Sequence, residues 1–189
     1  LERNQQTSGT TWHSAAQVRA LRHSQNLTRM IQYSVELYSQ LETETGQNVG
    51  WIQKGSLSIA TTPDRLIHVK RQEALAHAYG IEAQSISAGE ATEIWPLMNA
   101  EDVLGAVWSP NDGRVSPSDV CAALVKAARG LGAKLFEKSG VTGILTENGR
   151  IKGVETTQGT VMCEAIALCT GLWSREVGAM AGAEVPVLA

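Results

Sequence analysis

Two glycine-containing turns in the last third of the chain limit its fold most strongly. Asn148-Gly149 separates the apolar runs at 141–146 and 151–156, and Gln158-Gly159 precedes a third run at 160–163. An Asn-Gly pair between two such runs is the strongest short hairpin signal, because both residues tolerate positive φ. The pattern predicts a three-stranded antiparallel meander. Residues 165–169 follow as a near-continuous apolar run, which is typical of a strand buried on both faces of a parallel sheet.

Helices and short strands are predicted to alternate upstream of this meander. Apolar spacing and capping residues predict helices at 26–45 with Gly46 as a stop, after Thr62-Pro63 as far as Gly80, after Ser116-Pro117, and at 173–180. Short strands are predicted at 51–53, 57–60 and 104–108, the first two flanking a Lys54-Gly55 turn. This order predicts that residues 47–110 form a separate lobe inserted into the rest of the fold.

Composition argues against nucleic-acid binding, a membrane span and a signal peptide. The chain has 189 residues, a net charge of −3 and scattered Lys and Arg, so no basic stripe offers itself to nucleic acid. No apolar run is long enough to cross a bilayer, and the first residues lack a signal-peptide pattern. The three cysteines are odd in number and form no CxxC, which favours small buried hydrophobes in a reducing compartment.

An acid at the start and the polar loop after it are candidate ligand-binding features. Glu2 is either a solvated terminal acid or the acid that accepts hydrogen bonds from ribose hydroxyls in a dinucleotide-binding unit. The stretch Ser8-Gly9-Thr10-Thr11 is either an ordinary polar loop or one that lets phosphate oxygens approach backbone N–H groups. Neither feature is specific by itself.

His13 carries the sharpest chemical hypothesis. A neutral imidazole is a good nucleophile at physiological pH, so one of its nitrogens can attack an activated carbon of a bound cofactor. The alternative is an isolated histidine without a ligand. That is the interpretation for His23, His68 and His77, because their spacing does not suit a metal site.

Several short stretches, spread over nearly the whole chain, form an ordered set around these features. They are Glu2-Arg3, Thr11-Trp12-His13, the helix ending 41–46, Gly55-Ser56-Leu57, residues 60–65, Trp95-Pro96-Leu97, residues 112–117 and residues 169–174. In this order they resemble the covalent-flavin subgroup of the glycine oxidase/D-amino acid oxidase superfamily, which contains dimethylglycine and sarcosine dehydrogenases. Ser116 stands where that family usually has Asp, and serine still caps a helix.

The resemblance implies an α/β fold in which residues 1–46 and 111–189 form a partial FAD-binding Rossmann-like domain. Residues 47–110 would then belong to an inserted α+β substrate lobe. It implies FAD as the cofactor, bonded covalently to His13 with Trp12 packed nearby. The implied cofactor-binding residues are Glu2 and Arg3 at the adenosine ribose, Ser8, Gly9, Thr10 and Thr11 along the pyrophosphate and flavin, Trp12, His13, Val141 at adenine, and Thr170 and Gly171 where the buried strand ends. Trp173 is interpreted as a core aromatic.

The implied activity is oxidative demethylation of N-methyl amino acids such as dimethylglycine or sarcosine, by hydride transfer to the flavin. The glycine-rich phosphate motif and the second half of the substrate lobe are expected to lie outside this chain. It is therefore expected to be a fragment, and no catalytic residue or metal ligand is assigned within it. The alternative function is a non-catalytic remnant or interaction module that keeps the scaffold without binding flavin.

The expected partners are a small N-methyl amine and, through another domain of the parent protein, tetrahydrofolate. Neither nucleic acid nor a membrane is expected as a partner. A sheet without its first strand exposes an edge, so the chain alone is expected to bind FAD poorly or to form a homo-oligomer. The expected location is the bacterial cytoplasm or the mitochondrial matrix, without secretion.

Overall fold

The computed structural model describes residues 1–187 and divides the chain into two compact units. The larger unit is Thr11–Ala127, and the smaller unit joins Leu1–Thr10 to the chain from Ala128 onward. The units meet at Thr10/Thr11 and Ala127/Ala128, whereas the predicted FAD-binding and substrate parts meet at 46/47 and 110/111. The assignment of 1–46 with 111–189 to one part, and of 47–110 to the other, stays a prediction.

The larger unit contains two three-stranded antiparallel sheets and helices packed against them. Its strands are β1 (Gln17–Val18), β2 (Ile52–Gln53), β3 (Ser56–Ala60), β4 (Gln84–Ile86), β5 (Gly105–Ser109) and β6 (Gly113–Arg114). Its helices are α1 (Gln25–Thr45), α2 (Pro63–Ala78), α3 (Ala88–Ile94) and α4 (Pro117–Gly130), the last of which ends in the smaller unit. The strand orders are β1-β6-β2 and β3-β5-β4.

Local capping residues explain where these helices begin and end. The C-terminus of α1 is closed by Gly46, which has a φ of 63° and donates its N–H to the Glu42 carbonyl at 2.8 Å. The Thr62 hydroxyl accepts from the Arg65 N–H at 3.2 Å and starts α2. Helix α3, which the sequence analysis did not predict, has a capping box between Ser87 and Glu90. Hydrogen bonds from the Ser87 backbone and hydroxyl lower the pKa of Glu90.

Two buried clusters hold the larger unit together. One lies between α2 and the β3-β5-β4 sheet, and it contains Ala20, Ala60, Val69, Ala76, Ile81, Ala83 and Val107. The other joins α1 and α4 to strand β1, and it contains Val18, Leu41, Val49, Val115, Val120 and Ala123. On the inner side of α2, Val69 is fully buried and Leu66 packs against the first cluster, as does Tyr79 directly after the helix.

The smaller unit is built on the predicted meander. Its strands are β7 (Val141–Glu147), β8 (Arg150–Thr156) and β9 (Gly159–Met162), paired in that order and all antiparallel. A 3₁₀ turn at Gly171–Trp173 leads into α5 (Ser174–Ala179). The first residues of the chain also belong here, since Glu2 donates its N–H to the Phe136 carbonyl at 2.8 Å.

The predicted parallel strand at 165–169 is wrong. These residues are irregular, none of them is buried, and every strand pair among residues 1–187 is antiparallel. A strand is defined by hydrogen bonds to a neighbour, and no described segment pairs with this one. The prediction of buried cysteines is wrong for Cys169, which is exposed at the end of this run, whereas Cys121 and Cys163 are half-buried.

The Asn148-Gly149 turn provides a stability test of the meander. Gly149 has a φ of 73° and open space at its Cβ position, so Gly149→Ala introduces backbone strain without a clash. We expect the free energy of unfolding to fall by about 1–2 kcal/mol, measured by urea denaturation. Gly130→Ala is the matched control: Gly130 ends α4, also has open space and lacks a positive φ, so alanine should not destabilise the chain. Equal losses for both variants would contradict this account of the turn.

Candidate cofactor-binding residues

The loop that carries the candidate histidine ends in one turn of 3₁₀ helix, Thr11–His13. Ser14 donates its N–H to the Thr11 carbonyl at 3.3 Å and closes that turn. Trp12 is 59% exposed, and its ring centroid lies 3.8 Å from that of the His13 imidazole, with 38° between the ring planes. His13 is itself exposed. The larger unit therefore presents an accessible imidazole with an indole ring against it.

The chain after His13 is fixed by short-range hydrogen bonds. Ala16 adopts a φ of 65°, a conformation that costs a non-glycine residue about 1–2 kcal/mol. Two contacts hold it there: its N–H donates to the Ser14 hydroxyl at 3.1 Å, and its carbonyl accepts from the Val115 N–H at 3.1 Å. The exit of the histidine loop is thus tied to the residue that follows β6.

An open groove of about 410 Å³ lies next to this loop in the larger unit. Its walls come from α1, α4 and the stretch around β1, and most of them are apolar, for example Ile31, Val120 and Leu124. Thr11 and Ser14 reach the groove, but Trp12 and His13 are not part of its lining. The imidazole is therefore exposed at the surface instead of being enclosed in this groove.

In the smaller unit, Arg3 brings three candidate segments together. Its guanidinium carbon lies 4.3 Å from the centroid of the Trp173 ring, a cation–π contact. A Cβ placed on Gly140 would lie 3.3 Å from the Arg3 Cγ, so the start of β7 is also adjacent. Arg3 therefore contacts the last residue of the turn that begins at Gly171, and it also lies next to the residue that precedes Val141. Trp173 is 46% exposed, so its interpretation as a core aromatic is wrong.

Glu2 is held by both of its backbone groups and by its carboxylate. Its N–H donates to Phe136, its carbonyl accepts from Ser139 at 2.8 Å, and its Oε1 accepts from the Asn4 N–H at 2.7 Å. A carboxylate has about four acceptor positions, so this local bond leaves capacity for further hydroxyl donors. The chemistry of Glu2 is therefore compatible with a ribose.

The polar loop before the histidine offers a close backbone approach. The boundary between the two units falls inside it, between Thr10 and Thr11. The Ser8 hydroxyl donates to the Gln5 carbonyl at 2.8 Å, within its own turn. Gly9 is exposed, has no positive φ and would have no atom within 4 Å of an added Cβ, so neither sterics nor backbone conformation requires glycine there. The missing side chain leaves room for a ligand at this backbone, which suits a phosphate.

No strand directly precedes the Thr170-Gly171 stretch among the described residues, and hydroxyl contacts organise it instead. The Thr170 hydroxyl donates to the Ser174 Oγ at 3.1 Å, and the Ser174 hydroxyl donates to the Gly171 carbonyl at 2.7 Å. Val141 lies in register with Thr156 at the start of β7. Both positions are therefore fixed by local pairing within the smaller unit.

The sequence analysis assigned no structural role to Asp112, although it lay in one of the motifs. This side chain is 3% exposed, and its Oδ1 accepts from the Ala20 N–H at 2.8 Å while its Oδ2 accepts from the Ser56 hydroxyl at 2.6 Å. The Arg19 Nε is 3.7 Å from the same Oδ2. The one local signal for Asp112 is the Asp-Gly pair it forms with Gly113, which is typical of a turn.

Residues 1–187 contain neither a candidate membrane span nor a candidate metal cluster. No helix there combines the length and apolar character needed to span a membrane. In the same residues, no group of three or more His, Cys, Asp or Glu side chains is placed to hold a metal ion.

Comparisons with known proteins give one family. Residues 1–189 match the model of the DAO family, described as FAD dependent oxidoreductase. The chain is 40% identical to mitochondrial sarcosine dehydrogenase of Mus musculus, over 100% of this chain and 21% of that protein. It is 38% identical to the mitochondrial pyruvate dehydrogenase phosphatase regulatory subunit of Mus musculus, over 94% of this chain and 20% of that protein. The crystal structure of L-proline dehydrogenase from P. horikoshii matches with a TM-score of 0.91 and 31% identity, over 96% of this chain and 48% of that one.

The fold and the comparisons therefore define the class of the protein, a mixed helix-and-sheet flavoenzyme fold. The chain belongs to the DAO family of FAD-dependent oxidoreductases. This confirms the predicted family and fold class. The chain spans about a fifth of the length of the two curated relatives it matches.

The contact between Arg3 and Trp173 can be measured with a double-mutant cycle. We expect Arg3→Ala and Trp173→Leu to show a coupling free energy of about 0.5–1 kcal/mol in urea unfolding, the range for exposed cation–π pairs. Arg175→Ala with Trp173→Leu is the control cycle, because Arg175 is exposed two residues from Trp173 and makes no ring contact among the described residues. A control coupling as large as that of Arg3 would show that the ring contact is not the source.

Proposed function

We propose that this chain is the part of an FAD-dependent amine dehydrogenase or oxidase that carries the covalent flavin attachment residue, His13. The parent enzyme would oxidatively demethylate an N-methyl amino acid such as sarcosine or dimethylglycine. When bound, FAD supplies the two-electron acceptor for the hydride that leaves the N-methyl carbon. The observation that carries the proposal is an exposed imidazole, in the Thr-Trp-His loop, within a chain of an FAD-dependent oxidoreductase family.

The substrate class rests on the relatives. The Mus musculus protein that is 40% identical over the whole chain is named a sarcosine dehydrogenase. Sarcosine carries the N-methyl group and the carboxylate that the proposed reaction needs. The remaining parts of the parent would supply the groups that contact this amine, since no catalytic residue is assigned in this chain.

The chain's own residues would bind and orient the cofactor. The Glu2 carboxylate would accept hydrogen bonds from the ribose hydroxyls, and Arg3 would hold that segment beside Val141 and Thr170-Gly171. The backbone at Gly9 would approach the pyrophosphate, because it lacks a side chain in open space. The hydroxyls of Ser8, Thr10 and Thr11 would lie along the same ligand.

His13 would form the tether in an oxidative step. One imidazole nitrogen would bond to the methyl carbon on the flavin ring, while the imidazole N–H proton and one methyl hydrogen leave. The new N–C bond would replace one N–H and one C–H bond, and dioxygen would take the two electrons and two protons released to give hydrogen peroxide. The protein would thereby gain one FAD less two hydrogens. The tether would fix the ring in position and would make it a stronger electron acceptor.

A second candidate function is a non-catalytic scaffold that keeps this fold without binding flavin. One observation favours it: a relative that is 38% identical over 94% of the chain is named a phosphatase regulatory subunit. FAD binding separates the two candidates. A chain whose intrinsic fluorescence does not change during titration with FAD would support the scaffold.

Other partners and the location belong to the same proposal. Tetrahydrofolate would act through another domain of the parent, as acceptor of the one-carbon unit. A homo-oligomer is part of the same proposal, and sedimentation measurements test it. The location would be the mitochondrial matrix or a bacterial cytoplasm. The two named Mus musculus relatives are described as mitochondrial.

Intact mass after incubation with FAD in air tests the tether. FAD is supplied in large excess, so that the weak binding expected of the chain alone does not limit the reaction. We expect the wild-type chain to gain the mass of one FAD less two hydrogens, and this gain to survive denaturation. His13→Ala should abolish the gain, because the nucleophile is removed. His68→Ala is the matched control, since His68 is an exposed histidine on α2, and it should behave as wild type. An adduct retained in His13→Ala, or absent from the wild type, would refute the tether.

A further inference from the structure

The ring contact between Trp12 and His13 is not a consequence of helix geometry. A 3₁₀ helix has 3.0 residues per turn, so neighbouring side chains project about 120° apart and do not face each other. The two rings nevertheless lie with their centroids 3.8 Å apart and their planes at 38°. The contact therefore comes from the side-chain torsions of Trp12 and His13 and not from the backbone of the turn.

Core packing does not explain Trp12 either. Its side chain is 59% exposed, and the 3₁₀ turn Thr11–His13 contains no buried residue. Its ring is not part of the lining of the apolar groove that Thr11 and Ser14 reach. The contact with His13 is the only ring contact of Trp12 among the described residues.

We propose that Trp12 is a positioning residue for His13, whose ring it holds in one orientation for bond formation with the flavin. This inference rests on the proposed function, because it concerns the rate of the same tether. An imidazole on an exposed loop rotates freely about two side-chain bonds, and that freedom is lost when its nitrogen reacts. An indole against one face of the imidazole removes much of that freedom before the reaction.

The strained backbone that follows supports the same role. Ala16 is held at a φ of 65° by Ser14 and Val115, three residues after the imidazole. The backbone of the loop is therefore fixed on its exit side, and the side-chain torsions of His13 are the freedom that remains. Trp12 acts on that remaining freedom.

The test compares rates of mass gain in the full chain incubated with FAD. We expect Trp12→Ala to be roughly tenfold slower than wild type, the factor for freezing one side chain during the reaction. Trp12→Phe keeps a ring against the imidazole and should stay within about threefold of wild type. Trp95→Ala is the matched control, because Trp95 is 53% exposed in the same unit, and it should leave the rate unchanged.

A measurement at saturating FAD separates positioning from affinity. At FAD concentrations that saturate both proteins, Trp12→Ala should still gain mass about tenfold more slowly than wild type. A rate that returns to the wild-type value at saturating FAD would make Trp12 a binding contact only and overturn the inference.

Two further outcomes are decisive and distinguishable. Equal rates for wild type and Trp12→Ala would overturn the positioning role and leave the tether intact. A wild-type chain that gains no mass would overturn the tether, and the positioning role with it.

Proton NMR of the His13 ring gives a readout without flavin. The aromatic ring at position 12 should shift the His13 signals upfield in wild type and Trp12→Phe but not in Trp12→Ala. Unshifted signals in wild type would also overturn the inference.

Discussion

The buried carboxylate of Asp112 is the contact on which the larger unit depends. It lies between β5, in one sheet, and β6, in the other, and it is 3% exposed. A buried charge is costly unless it is paired, and here Ala20, Ser56 and Arg19 satisfy it. Its own carbonyl accepts the Gly55 N–H at 2.9 Å, where the chain passes from β2 to β3. Asp112 therefore joins both sheets and the segment after the histidine loop, through its side chain and its backbone carbonyl.

Short-range signals in the sequence predicted the local elements. Gly46 and Thr62 end and begin helices through bonds that span only a few residues, and Asn148-Gly149 closes the meander with φ values of 50° and 73°. Such contacts depend on neighbours in sequence, so a pattern can reveal them. The family could likewise be predicted from an ordered set of short motifs, and the match over residues 1–189 confirmed it.

Contacts between distant residues could not be predicted in this way. The strand expected at 165–169 is absent because a strand needs a hydrogen-bonded neighbour, which an apolar run does not specify. The meeting of Arg3 with Trp173, 170 residues later, has no local signal. The Ser56–Asp112 hydrogen bond spans 56 residues. Of the candidate site, the sequence indicated the residues, while their contacts emerged only from the fold.

Gly9 is one of the proposed cofactor-binding residues, but the fold does not require a glycine there. Most glycines in a compact unit are retained by backbone conformation or by crowding, so changes there report on stability. At Gly9 the backbone angle is ordinary and the space around the absent Cβ is empty. Under the proposed function, side chains of increasing size at this position would measure how much space the cofactor needs above the backbone, without disturbing the fold.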